Sequence, residues 1–144
     1  MTLRIVPVSA DNAESWREIH NLIIPPHPLT PEDLRDRLTR NHLTLAYAGE
    51  TLVGNATVRP PRPEAMTATV IVRVLPEHRR RGHGSEYLGA MLTAAGELGA
   101  RRIETVVLAA NADGLEFATR RGFVEFGRYV ADGAEYVDLA LAAR

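Results

Sequence analysis

Residues 74–84 read Val-Leu-Pro-Glu-His-Arg-Arg-Arg-Gly-His-Gly, an arginine-flanked Gly-x-Gly that follows a β-branched run and leads into a helix-periodic segment. Glycine lets the backbone approach a ligand closely. The first turn of a helix carries N–H groups without intrahelical partners, and the helix dipole favours negative charge at that end. Residue types and spacing together make an anion cradle, and a pyrophosphate suits it. Three other side chains offer proton-transfer chemistry. His20 and His27 flank a proline-rich stretch, and imidazoles ionise near neutral pH. Glu18 sits one residue off the apolar face of the same segment. Each is a candidate general base. His83, between the two cradle glycines, reads as a packing residue, Trp16 reads as core, and Tyr129 and Tyr136 read either as the edge of an acceptor pocket or as ordinary half-buried strand residues.

The elements that must hold these residues follow from periodicity. Residues 66–75 alternate, with Ala68, Val70, Val72 and Val74 on one side and Thr67, Thr69, Ile71 and Arg73 on the other, which is a strand that stops at Pro76. After the cradle, Leu88, Met91, Leu92, Ala95 and Leu98 recur at helical spacing, and Gly99 stands where a C-cap glycine belongs. Upstream, residues 2–8 alternate as a first strand, and Trp16, Ile19 and Ile23 mark one face of a helix from Asp11. Prolines 25, 26 and 28 then impose a stiff connector. Thr30-Pro31-Glu32-Asp33 has a capping threonine, a proline at the first helical position and an acid three residues after the cap, predicting a short helix to Arg40. Strands at 43–48 and 51–59 are joined at Gly49-Glu50. A strand at 101–108, a helix at 111–121 closed by Gly122, and strands at 123–129 and 135–141 around Asp132-Gly133 complete the order β-α-α-β-β-β-α-β-α-β-β. Strand, helix and strand across 66–108 form a βαβ unit, which predicts a parallel pair.

Composition narrows the partners. The chain has 144 residues, is 45% hydrophobic and carries a net charge of −1, the length of one ordinary domain and no bulk attraction for nucleic acid or a membrane surface. It has no cysteine, which closes acyl-cysteine and thiolate–zinc chemistry, and no metal is expected. All 17 basic side chains are arginine, so a lysine Schiff base is closed too. The first residues lack the apolar core of a signal peptide, and no run approaches a membrane span, so a cytoplasmic location is expected.

The cradle and its surroundings resemble the GNAT superfamily of N-acetyltransferases. The acetyl-CoA motif of that family is Arg or Gln, two residues, Gly, one residue, then Gly or Ala. Arg79-Arg80-Arg81-Gly82-His83-Gly84 matches it, after the usual Val74-Leu75-Pro76. Asn111, followed by a helix that ends in Gly122-Phe123, looks like a second family element, and the element order is similar over nearly the whole chain. The resemblance implies an α/β, single-domain GNAT-like fold over residues 1–144: a mixed, mostly antiparallel sheet with one parallel splayed pair and helices on both faces. It implies acetyl-CoA as co-substrate. Backbone groups of Val72, Arg73 and Val74 would hold the pantetheine arm, the amides of Arg79, Arg80, Arg81, Gly82, His83 and Gly84 the pyrophosphate, and Asn111 would reach the pantetheine from the other strand. The implied reaction is direct transfer of acetyl to a primary amine of a small molecule, peptide or protein in a ternary complex.

Two departures stand out. Many family members keep a tyrosine acid four residues before the Gly of Gly-Phe, and that position is Ala118 here. The strand at 66–75 holds no carboxylate where some members keep a base. A non-catalytic CoA-binding or sensor module therefore stays open. So does a nucleic-acid-binding domain built on the arginine clusters, although no nucleic acid is expected as a partner. The sequence is compatible with a monomer or a homodimer.

Overall fold

In a computed structural model that describes residues 2–142, these patterns become β1 (Arg4–Pro7), α1 (Ala13–Ile23), α2 (Pro31–Leu38), β2 (His42–Ala48), β3 (Thr51–Arg59), β4 (Thr67–Val74), α3 (His83–Glu97), β5 (Arg102–Leu108), α4 (Ala112–Arg120), β6 (Phe123–Ala131) and β7 (Ala134–Leu141). The strands make one seven-stranded sheet in the order β1-β2-β3-β4-β5-β7-β6. Every neighbouring pair is antiparallel except β4–β5, which is parallel as a βαβ unit demands. The chain thus has the α/β architecture of a single-domain GNAT-like fold.

Both faces of the sheet are covered. On one, Trp16 and Ile19 of α1 and Leu34 of α2 pack on Leu43 and Leu45 of β2. On the other, Tyr87, Leu88, Met91 and Ala95 of α3 and Ala118 of α4 pack on Ala46, Ala56, Val70 and Val137. β3, sandwiched between the layers, is buried from Val53 to Val58, Asn55 and Thr57 included. Two bonds link this strand to α1: the Asn55 side-chain NH₂ donates to the Trp16 carbonyl at 3.1 Å, and the Trp16 indole donates to the Ala56 carbonyl at 3.2 Å. These bonds fix α1, and with it the connector that follows, against the middle of the sheet.

Most element bounds match the sequence reading, and the differences have local causes. The first strand is shorter than residues 2–8: its register with β2 covers Arg4–Pro7, and beyond it the Val8 amide makes a single bond to the Leu43 carbonyl at 3.0 Å. The second helix stops at Leu38 rather than Arg40, although its capping box forms as expected: the Asp33 amide donates to Thr30 Oγ1 at 3.0 Å, and the Thr30 amide to the Asp33 carboxylate at 2.9 Å. The last hairpin runs farther into its turn than expected, because Asp132 (φ 51°) and Gly133 (φ 76°) both adopt the left-handed conformation that a two-residue turn needs. A 3-10 turn at Pro76–His78, absent from the sequence reading, links β4 to the cradle. Among the described residues, no helix is long and apolar enough to cross a membrane.

Candidate active site

β4 and β5 are paired only at their starts, at Thr67–Arg102, Ala68–Ile103 and Thr69–Glu104. Beyond that, β4 stays with β3 and β5 stays with β7, so residues 70–74 and 105–108 face each other across an opening. Backbone N–H and C=O groups along those facing edges have no strand partner, and an extended amide-bearing ligand can supply one. A cavity of about 270 Å³ fills the opening and continues to Arg79, Arg80, Gly82, Gly84 and Ser85 of the cradle and to Asn111, Phe117, Ala118, Arg120 and Arg121 of the facing helix.

Left-handed backbone shapes the cradle at two positions. Arg80 has φ 63° and Gly82, the N-cap of α3, has φ 84°. A Cβ on Gly82 would meet nothing within 4 Å, so glycine is needed there for its backbone conformation rather than for space. The first intrahelical bond runs from the Glu86 amide to the Gly82 carbonyl at 3.2 Å, and the amides of the preceding turn have no partner within the helix. Arg79 is turned back into the protein: its Nε donates to the Val74 carbonyl at 2.8 Å, and its Nη1 lies 3.4 Å from the Asp113 carboxylate. It therefore braces the end of β4 against α4.

A second pocket, about 170 Å³, lies on the other face of the sheet and shares Ile24, Ile71, Arg73, Val106 and Leu108 with the first. The proline connector forms one wall. Three side chains of α1 tie it down: Arg17 and Asn21 donate to the Leu29 carbonyl at 2.8 and 3.2 Å, and His20 Nε2 donates to the His27 carbonyl at 3.0 Å. That leaves His20 Nδ1 a bare acceptor, buried and without a partner. Burial, then the charge of Arg73, pushes the His20 pKa down to about 3, so this ring is neutral at physiological pH. His27 Nδ1 meets the Asp132 carboxylate at 2.5 Å, across 105 residues of sequence. A carboxylate only accepts, so Nδ1 carries the hydrogen of this bond. Tyr129 and Tyr136, stacked with ring centroids 5.3 Å apart, close the far side, and burial raises the pKa of both phenols.

A family model for the acetyltransferase (GNAT) family matches residues 11–123. The chain belongs to the GNAT acetyltransferase family. Solved structures agree in fold. A candidate phosphinothricin N-acetyltransferase is 23% identical with a TM-score of 0.81, covering 97% of this chain and 98% of its own. A Bacillus subtilis acetyltransferase in complex with CoA is 20% identical with a TM-score of 0.76, covering 99% and 100%. An acetyltransferase from Thermus thermophilus is 25% identical with a TM-score of 0.75, covering 97% and 96%. No curated protein matches the chain at the sequence level. Members of the GNAT family use acetyl-CoA, and acetyl transfer is the activity of this chain at that level of description.

Within the GNAT frame, the structure gathers Val72, Arg73, Val74, Arg79, Arg80, Gly82, Gly84 and Asn111 along one cavity. Arg81 and His83 do not line it: Arg81 is exposed, and the His83 side chain is buried at 5% exposure. Arg73 lines the second pocket as well. Asn111 caps α4, its Oδ1 accepting from the Gly114 amide at 3.0 Å, with its side-chain NH₂ as a further donor. His20 and His27 meet in the second pocket. Glu18 is exposed on α1 and reaches neither cavity. Ala118 lines the larger cavity, so no side-chain acid occurs at that position. Sequence reading gave Arg120 and Arg121 no cofactor role, yet both line the cavity. Arg121 also lies over the Phe117 ring at 4.3 Å and bonds to Ser85. Their position just before the Gly122-Phe123 element was the available signal.

Proposed function

We propose that the chain acetylates a primary amine by direct attack, with the pantetheine arm between β4 and β5, the pyrophosphate on the amides at the start of α3, and His27 as general base. The observation that carries this reading is the shared wall of the two cavities. Ile71, Arg73, Val106 and Leu108 belong to both, so an amine in the smaller pocket faces the splayed strands where the thioester would lie. Bound acetyl-CoA supplies an electrophilic carbonyl and a thiolate leaving group.

An alkylammonium of pKa about 10.4 is about three units above neutral pH, so roughly 4 kcal/mol separates it from the attacking free amine. His27 Nε2 accepts that proton, and Asp132 holds the ring in the required tautomer while stabilising the imidazolium. An imidazolium is a stronger acid than a thiol, so His27 can return the proton to the departing sulfur, and the alanine at position 118 is then no obstacle. His20, kept neutral by burial, fixes the connector through its bond to the His27 carbonyl and positions His27.

The test is acetyl-CoA turnover across a chemically varied amine panel, with CoA affinity measured alongside and pH–rate profiles for wild type, His27→Ala and Asp132→Asn. His27→Ala should lose the acidic limb of kcat/KM and Asp132→Asn should lower kcat/KM, both retaining CoA affinity. An unaltered profile removes His27 from the mechanism. CoA binding without acetylation of any amine would instead identify a binding module.

A further inference from the structure

Resting on the acetyltransferase reading above, we propose that the smaller pocket selects an acceptor amine bearing a carboxylate, as a free amino acid does, and holds that carboxylate with the guanidinium groups of Arg37, Arg59 and Arg73. These residues come from the end of α2, the last position of β3 and the splayed half of β4, and they converge on one small cavity. Among the described residues, none of the three lies within ion-pair distance of a carboxylate. Arg17, Arg40, Arg79, Arg102, Arg120 and Arg128 all do. The one carboxylate lining the pocket, Asp132, is engaged by His27.

Gathering like charges in a partly enclosed site is costly unless a counter-charge arrives. Arg73 shows that cost: Nη1 is buried with no partner, and burial, then the charges of Arg37 and Arg59, pushes its pKa down to about 10. Arg37 is lowered as well, by burial first and then by Arg59 and Arg40. Planar guanidinium groups match a carboxylate through paired N–H donors, and the Tyr136 phenol lines the same pocket and adds an O–H donor. With the carboxylate on the arginines, an amine on the same small molecule falls toward His27 and the wall shared with the cofactor cavity. At about 170 Å³ the pocket suits a small metabolite rather than a protein surface.

The experiment is calorimetric titration of CoA-loaded protein, at fixed ionic strength, with amines from which carboxylates are removed one at a time: L-glutamate, 4-aminobutyrate and propylamine. A set of other L-amino acids, each paired with its decarboxylated amine, completes the panel. At least one carboxylate-bearing amine should bind about tenfold or more tighter than its decarboxylated counterpart, as loss of a charge-assisted pair implies. In Arg59→Met that ratio should fall to within about threefold, with Arg37→Met as the second variant should the first fail to fold. Affinities indistinguishable in every pair, or a preference that survives both variants, overturn the proposal. Acetylation of propylamine without any carboxylate preference overturns the pocket assignment alone, whereas failure to bind CoA at all overturns the acetyltransferase reading beneath it.

Discussion

Acid should weaken the fold through one buried ring. His20 is 2% exposed, and its pKa is about 3 in the folded protein against 6.5 when free. Its folded pKa is lowered, so below pH 6.5 the unfolded chain binds a proton that the native chain refuses. Stability is therefore intact above that pH and falls as pH drops toward 3. Between pH 7.5 and pH 5 the linkage amounts to about 2 kcal/mol from this group, since 1.5 units at about 1.4 kcal/mol each separate pH 5 from the free value. With a urea slope of about 2 kcal/mol/M, the unfolding midpoint drops by about 1 M. Trp16, the only tryptophan and fully buried, reports unfolding by its fluorescence. His20→Gln retains a donor for the His27 carbonyl but nothing that titrates, so its midpoint should move about 1 M less than wild type over the same pH interval. Parallel movement of the two proteins, or a wild-type midpoint that does not move, would refute the buried neutral imidazole and reopen His20 as a titrating base.

Substitutions at three positions probe the proposed cofactor cavity. Gly82→Val places a β-branched residue at φ 84°, a conformation costing about 1–2 kcal/mol or more, and should weaken CoA binding by about tenfold in calorimetry. Gly82→Asn tolerates that backbone and should retain most of the affinity, so equal binding by all three proteins contradicts the cradle geometry. A Cβ at position 54 would lie 2.2 Å from the Arg73 carbonyl oxygen, so Gly54→Ala must displace β4 at the splay; a loss of about 1–3 kcal/mol in urea unfolding is expected, and unchanged midpoints would count against it. Asn111→Ala removes the cap of α4 at about 1 kcal/mol, which Asn111→Ser should restore. CoA affinity should fall in both variants if the amide also serves the cofactor, and its recovery in the serine variant would reduce Asn111 to a cap.

The strand–cradle–helix unit was legible because each part has a local signature: β-branched alternation over β4, glycine at a helix start, and apolar residues at helical spacing through α3. The capping box at Thr30–Asp33 was legible for the same reason. The splay of β4 from β5 has no such signature, since residues 70–74 have the same composition as a paired strand, and it entered only through the family resemblance. The His27–Asp132 pair was beyond local reading, because the two residues belong to a connector and a hairpin tip that meet only once the sheet has formed. The arginine cluster left a faint trace. Alternation already placed Arg73 on the face opposite Val72 and Val74, where a lone cation in an apolar strand needs a reason. What the sequence could not show was that Arg37 and Arg59 arrive at the same place, or that Arg79, the first residue of the motif, spends its side chain on Val74 and Asp113.

The placement of CoA is tested most directly by titrating isotope-labelled protein with CoA and following backbone amide resonances. The amides of Gly82, His83, Gly84 and Ser85 and those of Val72, Arg73 and Val74 should show the largest shifts, with Asn111 responding from the facing strand end. Shifts absent from these amides, or centred on Arg101 and Arg102 at the far end of the sheet, would contradict a cofactor held between the splayed strands.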